Sequence, residues 1–238
     1  RGVSTSARSD IFARLRHVAN TTQADNVERE RASLGSAPPP ALPATELCEA
    51  FLINLLKNRG SAACAAGREN AVRAVADHLY QHHRRHRLVA GNDPRLAAMP
   101  WRDAGVLPRF GALESGEQVA LSFARLGIAE LGGVVTYTGR HNPAVNNFLP
   151  ERHIVLLDMA DLVANTEDAW TRIHRDSETQ GRPRGINIIA GPSSTADIEG
   201  QLVYGAHGPR HWHVILVGNV PEGVLERALA FTGSAAPD

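Results

Sequence analysis

Short apolar runs of β-prone residues, separated by segments with helical periodicity, constrain this chain more than any other feature. Ile186-Asn187-Ile188-Ile189-Ala190, Trp212-His213-Val214-Ile215-Leu216-Val217 and the continuous run His153 to Leu157 read as strands. Ser61 to Ala65 and Arg87 to Ala90 are shorter strand candidates, the second followed by a turn at Asn92-Asp93-Pro94. Gly132-Gly133 predicts a hairpin joining Ile128–Leu131 to Val134–Tyr137. Apolar residues three and four apart predict helices over Arg8–Val18, Thr45 to about Leu56, and Arg68–His83, where Val72, Val75, Ala76 and Leu79 share a face. Thr166–Arg175 and Pro221–Phe231 read as helices too, the latter with proline in its first turn, and 176–185 as a polar loop. Strands alternating with helices at this spacing predict an α/β fold, a three-layer sandwich.

A single α/β domain preceded by an N-terminal arm is expected. Residues 1–44 combine an N-terminal helix with a flexible Pro/Ala-rich linker ending in Pro38-Pro39-Pro40. Residues 45–238 read as a single α/β domain. With 43% apolar and 21% charged residues, a chain of this length buries a core without disulfide or metal staples.

Charge and cysteine usage narrow the function classes. Twenty-five basic residues balance 25 acidic ones, which predicts no electrostatic hold on nucleic acid or a membrane surface. No run of ~18 apolar residues is present, and the N-terminus lacks the apolar core of a secretory signal. Cys48 and Cys64 are too few for an iron–sulfur cluster and read as free thiols of a cytoplasmic protein. No motif for nicotinamide, nucleotide or serine-hydrolase chemistry occurs, so no cofactor and no metal are expected.

The chemistry is expected near Gly191-Pro192-Ser193-Ser194-Thr195-Ala196-Asp197-Ile198-Glu199 and Gly205-Ala206-His207-Gly208-Pro209-Arg210. A strand, a Gly-Pro turn, a short helix and a Gly-bracketed loop are predicted there. The hydroxyls of Ser193, Ser194 and Thr195 then sit at a helix N-terminus, either as caps or as an anion site. Asp197 and Glu199 suit acid–base work or plain attraction to the positive helix end. His207 faces a cleft or bonds to backbone. Glu130, ahead of the Gly-Gly turn, is a further ligand-binding candidate or a satisfied turn carboxylate. His211 and His213 share one strand face, but no third metal ligand is predictable. His78, His82 and His86, at helical spacing among arginines, read as a solvated face.

The Gly191–Glu199 and Gly205–Pro209 motifs resemble the lactate-utilization protein C family, the stand-alone LUD domain, whose signature runs G-P-S-x-T-A-D-I-E and then G-x-H-G-P before a strand. Gly127-Ile128-Ala129-Glu130-Leu131-Gly132-Gly133-Val134-Val135, then Leu149-Pro150, match its upstream segment. Three departures stand out: Ser194 where arginine is usual, Leu131 and Gly133 where threonines are usual, and Arg125 where an acidic residue is common. The resemblance implies a largely parallel sheet between helices, in the sugar-isomerase/CoA-transferase-like arrangement, with ligands at strand C-terminal ends. It also implies a non-redox subunit of an L-lactate to pyruvate system, binding a small anionic metabolite or iron–sulfur partner subunits. An autonomous transferase or ligase acting on an anionic or nucleotide-like substrate, and a ligand-free assembly scaffold, are the alternatives. No catalytic residue is carried over, and an oligomer is left open.

Overall fold

The computed structural model describes residues 5–21, 24–35, 38–84, 86–198 and 201–233. The chain divides into two units, Arg1–Pro39 and Pro40–Asp238. In the first, α1 spans Thr5–Thr21 and α2 spans Ala24–Ser33. Ile11, Phe12 and Leu15 of α1 are exposed. Helix α2 falls where the composition of 20–44 reads as linker. Six of its ten residues are alanine, glutamate or arginine, good helix formers, and Glu28 sits one turn from Arg31 at 3.7 Å.

The second unit runs α3 (Leu47–Lys57), β1 (Ser61–Ala65), α4 (Arg68–His82), β2 (Arg87–Ala90), α5 (Pro94–Ala97), β3 (Leu107–Phe110), β4 (Val119–Phe123), β5 (Leu126–Ile128) and β6 (Gly133–Thr138). It continues through α6 (Ala144–Phe148), β7 (Arg152–Asp158), β8 (Leu162–Val163), α7 (Thr166–Gln180), β9 (Gly185–Ile189), β10 (Ser194–Ile198), β11 (Gln201–Tyr204), β12 (His211–Val217) and α8 (Val224–Thr232). Six strands form an all-parallel sheet in the order β1-β12-β7-β4-β2-β3. Along β7, Ile154 and Leu156 pack with α4 on one face, while Val155 and Leu157 pack with α3 and α8 on the other. Ile215 and Val217 of β12 face α4; Val214 and Leu216 face α3 and α8. Helices on both faces explain why these strands are apolar at successive positions. The α/β reading with a largely parallel sheet is borne out.

A smaller sheet, β8-β5-β6-β9, carries α7. The hairpin over Gly132-Gly133 forms, with Leu126 paired to Val135 and Ile128 to Gly133. Helix α7 continues five residues past Arg175, with Asn165 Oδ1 capping its start on Asp168 N at 2.7 Å. Helix α8 begins at Val224 with Gly223 as N-cap, so Pro221 precedes it rather than filling its first turn. Pro94 opens α5, capped by Asp93, where a simple turn is expected.

The largest difference lies in the signature segment. Ser194–Ile198 is a strand, not a short helix, and pairs antiparallel with β11. Thr195, Ile198, Val203 and Tyr204 favour a paired ladder. The expected helix N-terminus behind Ser193, Ser194 and Thr195 is therefore absent.

Candidate functional site

The C-terminal end of α3 gathers the segments that the sequence singles out. Asn54 Nδ2 donates to the carbonyls of Ala129 (2.8 Å) and Glu130 (3.1 Å), and Asn58 Nδ2 donates to Leu131 O at 2.7 Å. Gly132, at φ +57°, lies flat against the backbone of Asn54 and Leu55, where any Cβ would overlap. A Cβ on Gly191 would lie 2.5 Å from Asn58 O. The Gly-Gly turn and the Gly-Pro turn thus clasp the same helix end.

That helix end presents Arg59. Gly60 N bonds Leu55 O at 3.0 Å and Arg59 N bonds Leu56 O at 2.9 Å, a Schellman pairing. Its left-handed position, usually glycine, is Arg59 at φ +62°. A non-glycine residue there costs about 1–2 kcal/mol, and such strain persists where a side chain is needed. The Arg59 guanidinium lies 5.0 Å from the Tyr204 ring of β11. Arg59→Gly is expected to raise Tm by about 1–4 °C, since relief of left-handed strain outweighs the added chain entropy. Calorimetry of the variant checks this; a lower Tm would show the arginine contacts to be structural.

Two adjoining cavities flank Arg59, Arg210 and His211. The outer one, about 560 Å³, is bordered also by Pro192, Leu202, Val203 and Tyr204. The inner one, about 310 Å³, is bordered also by Ser61, His78, His82, Arg152 and Trp212. Ser61, Arg152 and His211 stand at the starts of β1, β7 and β12, with Arg152 beside His211 and Ser61 beside His213 in register. The cleft therefore opens at the N-terminal ends of the parallel strands. Gly191 follows β9 of the smaller sheet, so it marks no C-terminal end of the large one.

His78 is not on a solvated face. It falls on the stripe of Val72, Val75 and Leu79, is 6% exposed, and stacks on His213 with ring centres 3.9 Å apart. His82 follows at 4.6 Å and is half-buried, whereas His86 is exposed. His213 Nδ1 shares a 2.8 Å hydrogen bond with Ser61 Oγ. Burial first, then neighbouring histidines and Arg152, push His78 down to about 2 and His213 to about 3. Burial and Arg152 also lower His82 and His211. At neutral pH the imidazoles are uncharged, and the positive charge comes from arginines. No metal-binding group of three ligands occurs among the described residues.

The expected site residues are distributed as follows. Ser193 N donates to Pro209 O at 2.8 Å and Ser193 O accepts from Gly205 N at 2.9 Å, which closes the hairpin base. Gly208 packs on Ser193, where a Cβ would come within 2.9 Å of its Cβ. Gly205, at φ +81°, leaves room for Arg210, whose Cβ would be 2.8 Å from a Cβ there. Ser194 is exposed and Thr195 half-buried, both in β10. Asp197 lies in the same strand, with only its backbone described, and Glu199 lies outside the described residues. His207 is exposed on the loop. Glu130 accepts from Thr166 Oγ1 at 3.2 Å and Thr166 N at 3.3 Å, anchoring the start of α7. The signature's glycines and Ser193 thus set the frame, while Arg59, Arg152, Arg210, Ser61 and His78 line the space. Arg59 and Arg152 leave no mark in the sequence; His78 does, through its place on the apolar stripe of α4.

A further cavity of about 460 Å³ adjoins Arg109 at the starts of β2 and β4, but Arg109 is held there by Glu117, Nε to Oε1 at 2.7 Å. Its charge is already answered.

A family model described as LUD domain matches residues 116–217. Lactate utilization protein C of Geobacillus kaustophilus is 35% identical over 108 residues, 44% of this chain and 45% of that protein. Lactate utilization protein C of an Exiguobacterium species is 29% identical over 140 residues, 55% of this chain and 61% of that protein. An uncharacterized protein of Escherichia coli, YkgG, is 36% identical over 93 residues, 39% and 40%. The chain thus spans about half the length of the curated relatives it matches. A crystal structure of a DUF162 family protein from Deinococcus radiodurans superposes with TM-score 0.54 at 19% identity, over 75% of this chain and 100% of that one, a likeness of fold.

Proposed function

We propose that this chain, with a LUD domain match over residues 116–217, serves lactate utilization as a subunit that binds a small anionic metabolite in the cleft beside Arg59. The relatives' printed names support the process. One observation carries the site: three arginines, Arg59, Arg152 and Arg210, border one inner cavity whose lining includes no carboxylate. Of the three, Arg210 alone has an ion-pair partner among the described residues, Glu151 at 3.4 Å, and arginines in such excess over carboxylates favour an anion over a cation or an apolar ligand. Of the signature residues, Pro192 borders the outer cavity, and the charges of the cleft come from Arg59, Arg152 and Arg210.

The cluster chemistry of lactate oxidation would then belong to iron–sulfur partner subunits, with this chain supplying metabolite binding. No described helix is long and apolar enough to cross a membrane. Deleting the gene from its host is expected to abolish growth on L-lactate while leaving growth on pyruvate intact. The wild-type gene restores growth, and an Arg152→Gln gene restores it at well under half the rate, because a lost charge-assisted contact costs about 1.5–3 kcal/mol of binding. A deletion strain growing normally on L-lactate would overturn the reading.

A further inference from the structure

We propose that the inner cavity binds a phosphoryl group, gripped by Arg59, Arg152 and Arg210, with the remainder of a small phosphate ester lying in the outer cavity; this rests on the anion-site reading above and narrows its chemistry.

Charge comes first. Of the acidic residues near the three arginines, Glu151 reaches Arg210 at 3.4 Å. Arg152 forms no ion pair among the described residues, and Arg59 meets an aromatic ring rather than a carboxylate. Three cations against one anion leave a surplus of two. A phosphoryl group carries about −1.5 to −2 at neutral pH, whereas a monocarboxylate such as lactate carries one charge. Arg152 is half-buried, and burial lowers its guanidinium pKa with little relief from Glu151. An unpaired cation in such a place is costly unless an anion joins it.

Geometry comes second. The donors arrive from five separate places: the end of α3 (Arg59), the start of β1 (Ser61), α4 (His78 and His82), the start of β7 (Arg152) and the turn before β12 (Arg210). Donors on several sides suit a tetrahedral group with oxygens in all directions better than a planar carboxylate. His78, 6% exposed, borders this cavity with an Nε2 that has no hydrogen-bond partner, and Trp212 Nε1 of the same lining is in the same condition. A buried donor left without a partner costs about 1–3 kcal/mol, so such atoms collect where a ligand completes them.

Size comes third. The outer cavity is apolar on the side of Pro192, Leu202 and Val203, and Tyr204 offers a ring face already aligned with Arg59. A polar inner end and an apolar outer end fit a phosphate ester better than a three-carbon acid alone.

Isothermal titration calorimetry of the full chain at constant ionic strength tests this, with inorganic phosphate, phosphoglycolate and L-lactate as probes. Phosphoglycolate is expected to bind at least about tenfold more tightly than L-lactate. Phosphoglycolate binding more tightly than inorganic phosphate assigns the site to an ester; equal affinities assign it to free phosphate. Arg152→Gln is expected to weaken phosphoglycolate about tenfold or more. Arg59→Gly does the same while its Tm does not fall, which keeps the test open should Arg152→Gln fold poorly. L-lactate binding as tightly as the phosphate probes would overturn the phosphoryl assignment and leave the anion site standing. Phosphate binding that neither variant weakens would overturn its location. If no probe binds and the deletion strain still needs the gene for L-lactate, the cleft reading fails while the role in the process stands.

Discussion

At pH 5 the protein is expected to melt about 10–20 °C lower than at pH 7. His78, His153 and His213 are almost fully buried, and burial pushes them down to about 2, 3 and 3. In the unfolded chain each returns to about 6.5. Below that value the unfolded chain binds three protons that the folded chain refuses. Stability is therefore complete above pH 6.5 and falls as the pH drops toward 3. Each histidine contributes about 2 kcal/mol to the loss between pH 7 and pH 5, roughly 6 kcal/mol for the three. At about 2–4 °C per kcal/mol for a domain of this size, the shift follows.

His153 isolates one share of this effect. Ser122 Oγ donates to Asn147 Oδ1 at 2.8 Å, so it accepts from His153 Nε2–H at 3.0 Å. That fixes the tautomer and leaves His153 Nδ1 a buried acceptor without a partner. His153→Asn removes the titrating group and is expected to reduce the pH dependence by about a third. Calorimetric scans at pH 7, 6 and 5 check both statements. A total shift below about 4 °C would mean that the folded protein accepts these protons.

Asp176→Ala is expected to cost about 3–5 kcal/mol, a fall in Tm of roughly 6–20 °C. Asp176 of α7 is 6% exposed and accepts from Arg125 Nε at 2.6 Å, Arg125 Nη2 at 2.7 Å and Tyr137 Oη at 2.9 Å. Burial by itself would raise its carboxyl; the Arg125 and Tyr137 hydrogen bonds outweigh that and hold it below the usual range. Without it, the half-buried Arg125 keeps only Asp161 at 3.4 Å, which Arg172 also engages at 3.2 Å. The loss comes mainly from stranding a charge rather than from the worth of the pair. The double change Arg125→Met with Asp176→Leu should recover most of the stability, as measured by urea unfolding. A single variant within about 1 kcal/mol of wild type would show that solvent reaches Arg125. Because the Asp176 carboxyl titrates below its ordinary value, its contribution is lost only in stronger acid, outside the pH 7 to 5 window.

Several parts of the fold were legible because their causes are local or periodic. The unbroken apolar runs of β7 and β12 are what a strand covered on both faces requires. The Gly132-Gly133 hairpin was legible because the backbone at its turn needs glycine. The signature segment departs from its local pattern: its residues make a hairpin where hydroxyls before a short acidic stretch predict a capped helix. Local hydroxyls promise a cap, but the β-prone residues of the partner strand, Val203 and Tyr204, decide the pairing.

The residues thus determined by themselves an α/β domain with a largely parallel sheet and a match to the LUD domain over 116–217. Which residues meet in the cleft was decided by tertiary structure alone. Ser61, Arg152 and His211 come together because three strands distant in sequence start at the same end of one sheet. His78 reaches His213 because α4 lays its apolar stripe across that sheet. Arg59 points into the cleft because two glycine turns, at Gly132 and Gly191, hold the helix end that carries it. No periodicity encodes such a meeting, since each contact is long-range and depends on strand order and register rather than on neighbours in the chain.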